Sequence, residues 1–177
     1  MTITLELTGM SPTGDAIGRQ AGLVIFVPFG IPGDVIEAQV THKRRTYAHA
    51  KVVRVLQPAP ERITPPCRYF GFCGGCEWQH IRYNDQLKYK TQAVIEQFVR
   101  IGKIHNPPVN ECIPCPTPYN YRNHTQFVRS HTGHAGYFVA GSNEVVEIEE
   151  CPILQPELNY QLNSINLQRP DLQTLPK

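Results

Sequence analysis

Three of the chain's six cysteines fall within ten residues, as Cys67-x5-Cys73-Gly74-Gly75-Cys76, and this loop constrains the fold more than any other feature of the sequence. Thiolates are soft, charged ligands, and two intervening residues let a chain turn around a metal with both sulfurs facing it. Gly74 and Gly75 suit such a turn. Glycine adopts backbone angles denied to other residues and lets N–H groups approach anionic sulfur. A fourth ligand must come from elsewhere. Cys151 stands directly before Pro152, and a distant cysteine before proline also occurs in some iron–sulfur proteins. On spacing alone, a cluster competes with a zinc site pairing Cys73-x2-Cys76 with Cys112-x2-Cys115. The zinc pairing leaves Cys67 and Cys151 unused and places Pro114 inside a knuckle. Inert buried cysteines usually occur singly, and a redox Cys-x-x-Cys needs a βαβ setting that the sequence lacks.

The remaining sequence gives this loop a context. Ile3, Leu5 and Leu7 alternate with polar residues, the period of a half-buried strand. Gln20-Ala21-Gly22 predicts a tight turn into Leu23–Val27, and Ile36, Ala38 and Val40 alternate again. With a β-prone run at 48–56, these make about five short strands, which suits a small closed barrel of the OB type. Pro58, Pro60, Pro65 and Pro66 mark a boundary, so residues 1–62 are expected to form one domain and 63–177 another. In the second, Asn84 is the expected N-cap of a helix with Leu87, Val94, Phe98 and Ile101 on its apolar face and Gly102 at its stop. Strands are predicted at 121–129, 136–140 and 144–148, and a last helix from Pro156 carries Leu158, Leu162 and Ile165 on one face. The fold class expected is mainly β with α+β.

A hydrophobic fraction of 41% supports a packed core, and 18% charged residues are too few for a disordered chain. No apolar run is long enough to span a bilayer. No basic-then-apolar leader opens the chain, so the protein is expected to be cytoplasmic, without a membrane partner. The formal charge is only +2, but residues 1–90 carry 11 Lys/Arg against 7 Asp/Glu, whereas 91–177 carry 6 against 8. The basic half contains His42-Lys43-Arg44-Arg45, which can neutralise phosphates or simply be a solvated strand end. Arg122 and Arg129 are further candidate RNA contacts, with ion pairs to Glu147 or Glu149 as the alternative. His124, His131 and His134 are expected to be surface turn residues, and Trp78 and Phe70 to shield the cysteine site from water.

Several segments together resemble the TRAM-domain RNA uracil-5-methyltransferases that carry a four-iron four-sulfur cluster. Leu5-Glu6-Leu7-Thr8, Gly14-x-x-x-Gly18 and Val27-Pro28-x-x-x-Pro32-Gly33-Asp34 resemble the TRAM barrel, and Glu61-Arg62-x-x-Pro65-Pro66-Cys67 its exit into the cluster loop. Cys67-x5-Cys73-Gly74-Gly75-Cys76-x-x-Gln79-His80 resembles the family's most specific signature. Tyr119-x-Tyr121-Arg122-Asn123 and Glu144-Val145-Val146-x-Ile148-x-x-Cys151-Pro152-Ile153 resemble its central domain. The resemblance implies a 4Fe-4S cluster held by Cys67, Cys73, Cys76 and Cys151. It also implies S-adenosylmethionine as methyl donor and a uridine in rRNA or tRNA as target, reached by extrusion from folded RNA.

No glycine-rich strand-to-helix turn is present to hold a nucleotide-like cofactor. The S-adenosylmethionine domain and the catalytic residues are therefore expected beyond residue 177, and Cys112 and Cys115 match no catalytic position. Two alternatives stand beside the enzyme: a non-catalytic TRAM and iron–sulfur RNA-binding module, and a zinc-stabilised interaction protein. A monomer is expected.

Overall fold

The computed structural model describes residues 2–167. They form two compact units, one running from the N-terminus to Thr64 together with Glu77–Pro114, the other comprising Pro65–Cys76 and the chain from Cys115 onward.

The first unit contains β1 (Thr2–Met10), β2 (Ala16–Gln20), β3 (Leu23–Val27), β4 (Val35–Lys43) and β5 (Tyr47–Gln57). They close into a barrel in the order β1-β2-β3-β5-β4, with β3 and β5 parallel and the other pairs antiparallel. Period-2 alternation fills the interior with Ile3, Leu5, Leu7, Ile25, Val27, Ile36, Ala38, Ala48 and Ala50. Closure removes exposed strand edges. The β2–β3 turn has positive φ at both Ala21 (49°) and Gly22 (79°), the conformation that matches strand twist in a two-residue hairpin. A second cluster of Met10, Ile31, Ala59 and Ile81 packs with Trp78 and Tyr89. Trp78 donates from Nε1 to the Gly14 carbonyl at 3.0 Å. It thus packs within the barrel unit, its indole N–H bonded to a carbonyl there.

The helix α1 (Tyr83–Arg100) starts earlier than Asn84 predicts: its N-cap is Arg82, without a side-chain cap. Asp85 compensates in the first turn, accepting from Arg82 Nε at 2.6 Å and Lys88 Nζ at 2.8 Å. A carboxylate at that end also opposes the helix dipole. The expected apolar face is not a core face, for Val94, Phe98 and Ile101 are all exposed. Gly102 does sit at the stop, donating to the Gln97 carbonyl at 3.2 Å.

In the second unit, β6 (Val128–Arg129), β7 (Ala135–Phe138) and β8 (Val145–Glu147) form an antiparallel sheet, followed by α2 (Pro156–Leu167). The strand expected over 121–129 shrinks to its last two residues. Arg122 instead makes a single bridge with Leu154. Leu158, Leu162 and Ile165 of α2 do pack inward, onto a core of Ala135, Ile148, Cys151, Ile153 and Leu154. Among the described residues no helix is long and apolar enough to cross a membrane.

Candidate metal centre and nucleic-acid interface

Cys67, Cys73, Cys76 and Cys151 all lie in the second unit, and none of the six cysteines is in a disulfide. Cys151 and Cys76 belong to one packed cluster, and charge couples Cys151 to Cys67, Cys73 and Cys76. Burial pushes the Cys67 thiol up, backbone N–H groups of Tyr69 and Phe70 pull it down, and charge on Cys151 and Cys73 raises it further. Cys151 repeats the pattern: burial raises it, N–H groups of Ile153 and Leu154 lower it, and Cys76 and Cys73 raise it. Tyr119 is raised by burial and then by Cys76 and Cys67. Burial also raises Tyr137, with Cys151 and Cys73 adding to it. These two tyrosines flank the thiols.

Local bonding explains how the segments are held together. Arg68, next to Cys67, donates from Nη2 to Glu149 at 2.6 Å, and the Glu149 N–H donates to the Tyr69 hydroxyl at 3.0 Å. The loop carrying Cys67 is thereby tied to a residue two before Cys151. Asn159 of α2 accepts from the Cys151 N–H at 2.8 Å and donates to its carbonyl at 3.0 Å. Both backbone groups of the isolated cysteine are thus fixed by one side chain. Sequence reasoning missed Arg68, Asn159, Tyr119 and Tyr137, since each acts through a tertiary contact without a motif.

The glycines serve space rather than unusual backbone angles. Neither Gly74 nor Gly75 has a positive φ, but Gly71 does, at 88°. A Cβ on Gly74 would stand 3.0 Å from the Phe138 carbonyl oxygen, and one on Gly75 would stand 3.4 Å from Cys73 Sγ. The Gly75 N–H donates to that sulfur at 3.4 Å.

Among the described residues, no three His, Cys, Asp or Glu side chains are grouped as ligands of one metal ion. In an iron–sulfur cluster each thiolate binds its own iron, so the ligands need to surround a shared space rather than meet at one ion. The four thiols are the donor type such a cluster takes and lie in one unit, with N–H groups donating to Cys67, Cys73 and Cys151. Cys112 lies in the barrel unit, its N–H donating to Thr91 Oγ1 at 2.9 Å, and Cys115 is exposed.

The basic run occupies the β4–β5 turn, where the Arg44 N–H donates to the Tyr47 carbonyl at 2.8 Å. Lys43, Arg44 and Arg45 are exposed, and among the described residues none takes part in an ion pair. Arg122 and Arg129 lie in the other unit. The ion pairs considered for them are not formed, because Glu149 holds Arg68 while Glu147 accepts from Ser130 and Thr132 and faces His134 at 3.0 Å. His134 therefore does have a carboxylate partner, supplied across the sheet from β8, which linear spacing does not reveal.

The TRAM domain family matches residues 1–53. An uncharacterised RNA methyltransferase of Nostoc is 40% identical over 167 residues, which are 92% of this chain and 36% of that protein. A 23S rRNA (uracil(1939)-C(5))-methyltransferase of Pectobacterium atrosepticum is 32% identical over 92% of this chain and 37% of its own length. The chain spans about a third of the length of these curated relatives. In fold, it is similar to the tRNA (uracil-54, C5)-methyltransferase of Pyrococcus abyssi, solved with S-adenosyl-L-homocysteine. That likeness has a TM-score of 0.62 and 23% identity, over 90% of this chain and 34% of the other. Residues 1–53 thus match the TRAM domain family, and over nine-tenths of its own length the chain is similar to proteins named as RNA methyltransferases.

Proposed function

We propose that this chain is the iron–sulfur and RNA-anchoring part of an RNA uracil-C5 methyltransferase. The observation that carries the proposal is the gathering of Cys67, Cys73, Cys76 and Cys151 in one unit, in a chain whose barrel matches the TRAM family and carries a basic turn without ion pairs among the described residues. The relatives named as RNA methyltransferases supply the reaction class. A 4Fe-4S cluster bound by these thiolates would cross-link the Cys67–Cys76 loop to the Cys151 segment. The protein's own part is to present four soft ligands, to direct N–H groups at their sulfurs, and to fix the cysteine backbone through Asn159 and Arg68. Lys43, Arg44 and Arg45 would bind phosphate, which positions an RNA without reading its sequence. Arg122 and Arg129 are proposed as contacts from the second unit.

The methyl donor would be S-adenosylmethionine and the acceptor C5 of a uridine in rRNA or tRNA. Among the described residues no nucleophile–base pair is assigned to that step. A cytoplasmic location is part of this proposal. The test is deletion of the gene, followed by nuclease digestion and mass spectrometry of rRNA and tRNA. Loss of 5-methyluridine from one position is expected. An unchanged content at every position would contradict the assignment.

A further inference from the structure

The outer wall of the barrel carries aromatic residues that its interior does not need. Ile25, Val27, Ala48 and Ala50 point inward and complete the core, so Phe26, Tyr47 and His49 face outward by strand alternation. Strand register sets them side by side. Ile17 pairs with Phe26, Phe26 with His49 across the parallel pair, and His49 with His42, which makes a row across β2, β3, β5 and β4. A second row runs Arg19, Val24, Tyr47. The Phe26 and His49 rings are 5.5 Å apart and tilted by 30°, and Tyr47 stands nearly perpendicular to both, at 6.1 and 5.6 Å.

These residues border a cleft of about 500 Å³ lined by Arg19, Phe26, Tyr47, Arg100 and Ile101 among others, with no acidic residue in its lining. That volume lies within the range of small-molecule sites. Asp15 has a carboxylate that burial pushes up and the charge of His49 pulls down. The basic turn Lys43–Arg45 leads directly into Tyr47. Arg19 and Arg100, like the turn, are exposed and form no ion pair among the described residues. Aromatic faces beside unpaired cations are what an unstacked base and its phosphate require, whereas a duplex keeps its bases stacked and unavailable.

We infer that this face binds one unpaired nucleotide of an RNA strand, its base stacked on a ring of the Phe26–Tyr47–His49 cluster and its phosphates held by Arg19, Arg100 and the Lys43–Arg45 turn. The inference rests on the RNA reading above and narrows it from phosphate anchoring to single-strand recognition. The test uses the anaerobically purified chain and a single-stranded RNA of about ten nucleotides containing one 2-aminopurine, with a duplex of equal length as comparison. Binding to the parent protein should quench the 2-aminopurine. Phe26→Ala and Tyr47→Ala should weaken single-strand binding about five- to hundredfold and abolish the quench. Their duplex affinity, salt slope and iron content should stay unchanged. Tyr47→Phe keeps the ring and should behave as the parent, which separates stacking from a folding defect.

Equal single-strand affinity and quench for parent and both alanine variants would overturn the inference and leave the face to a protein partner. If Lys43→Ala/Arg44→Ala/Arg45→Ala still weakened binding in that case, the RNA reading would survive alone. If neither RNA form bound the parent, both would fall together.

Discussion

Asp34 shows how one buried carboxylate organises the barrel unit. It is fully buried, and Oδ1 accepts from the Ala59 N–H at 2.8 Å and Arg62 Nε at 3.1 Å. Oδ2 accepts from the Ile31 N–H at 2.9 Å and Arg62 Nη2 at 2.5 Å. Asp34→Ala leaves a guanidinium and two N–H groups without their acceptor, so it should destabilise the unit by about 3–5 kcal/mol. Urea unfolding followed by amide exchange in the barrel measures this, and a loss under about 1 kcal/mol would contradict the assigned role. His80 sets a pH limit on the same unit. Burial, reinforced by the Arg62 charge, pulls its imidazole from 6.5 down to about 4. Between those values the unfolded chain binds a proton that the folded chain refuses, so stability falls as pH drops from about 6.5 toward 4. The loss should approach ~3 kcal/mol. His80→Gln should flatten the curve in that window, and an identical curve for the variant would exclude His80 as its source.

At the scale of elements, the β4–β5 turn makes the basic run a testable device. Replacing Lys43, Arg44 and Arg45 by Ala should flatten the salt dependence of RNA binding by up to about two logarithmic units, at roughly 0.7 for each single-strand phosphate released. Coincident slopes would reduce the run to a solvated surface. The α2 helix holds Cys151 by both backbone groups through Asn159. Asn159→Ala should therefore retain the cluster but lose iron severalfold faster in air, and equal rates would contradict that coupling. The barrel strands and α2 were legible in the sequence because alternation and helical spacing directly report which face is buried, whereas the strand read over 121–129 shrank to Val128–Arg129. The start of α1 was not, since Asp85 stabilises its first turn through Arg82 and Lys88 where a capping side chain was expected at Asn84. Val94, Phe98 and Ile101 have the spacing of a core face but remain exposed, a pattern that periodicity alone cannot distinguish.

For the whole molecule, spacing singled out Cys67, Cys73 and Cys76, the resemblance supplied Cys151, and the structure sets all four in one unit. What lay outside the sequence was the tertiary support: Arg68 on Glu149, Asn159 on Cys151, and the tyrosines Tyr119 and Tyr137 beside the thiols. The central claim is that four thiolates and no others hold an iron–sulfur cluster. The most direct measurement is iron and acid-labile sulfide per chain in protein purified without oxygen, for the parent and for single Ser variants of all six cysteines. About four irons and four sulfides are expected in the parent, Cys112→Ser and Cys115→Ser. Cys67→Ser, Cys73→Ser, Cys76→Ser and Cys151→Ser should each lose most of both, since a hydroxyl is a poor, hard substitute for a thiolate. A parent holding zinc without sulfide, or a loss of iron in Cys112→Ser equal to that in Cys151→Ser, would contradict the account.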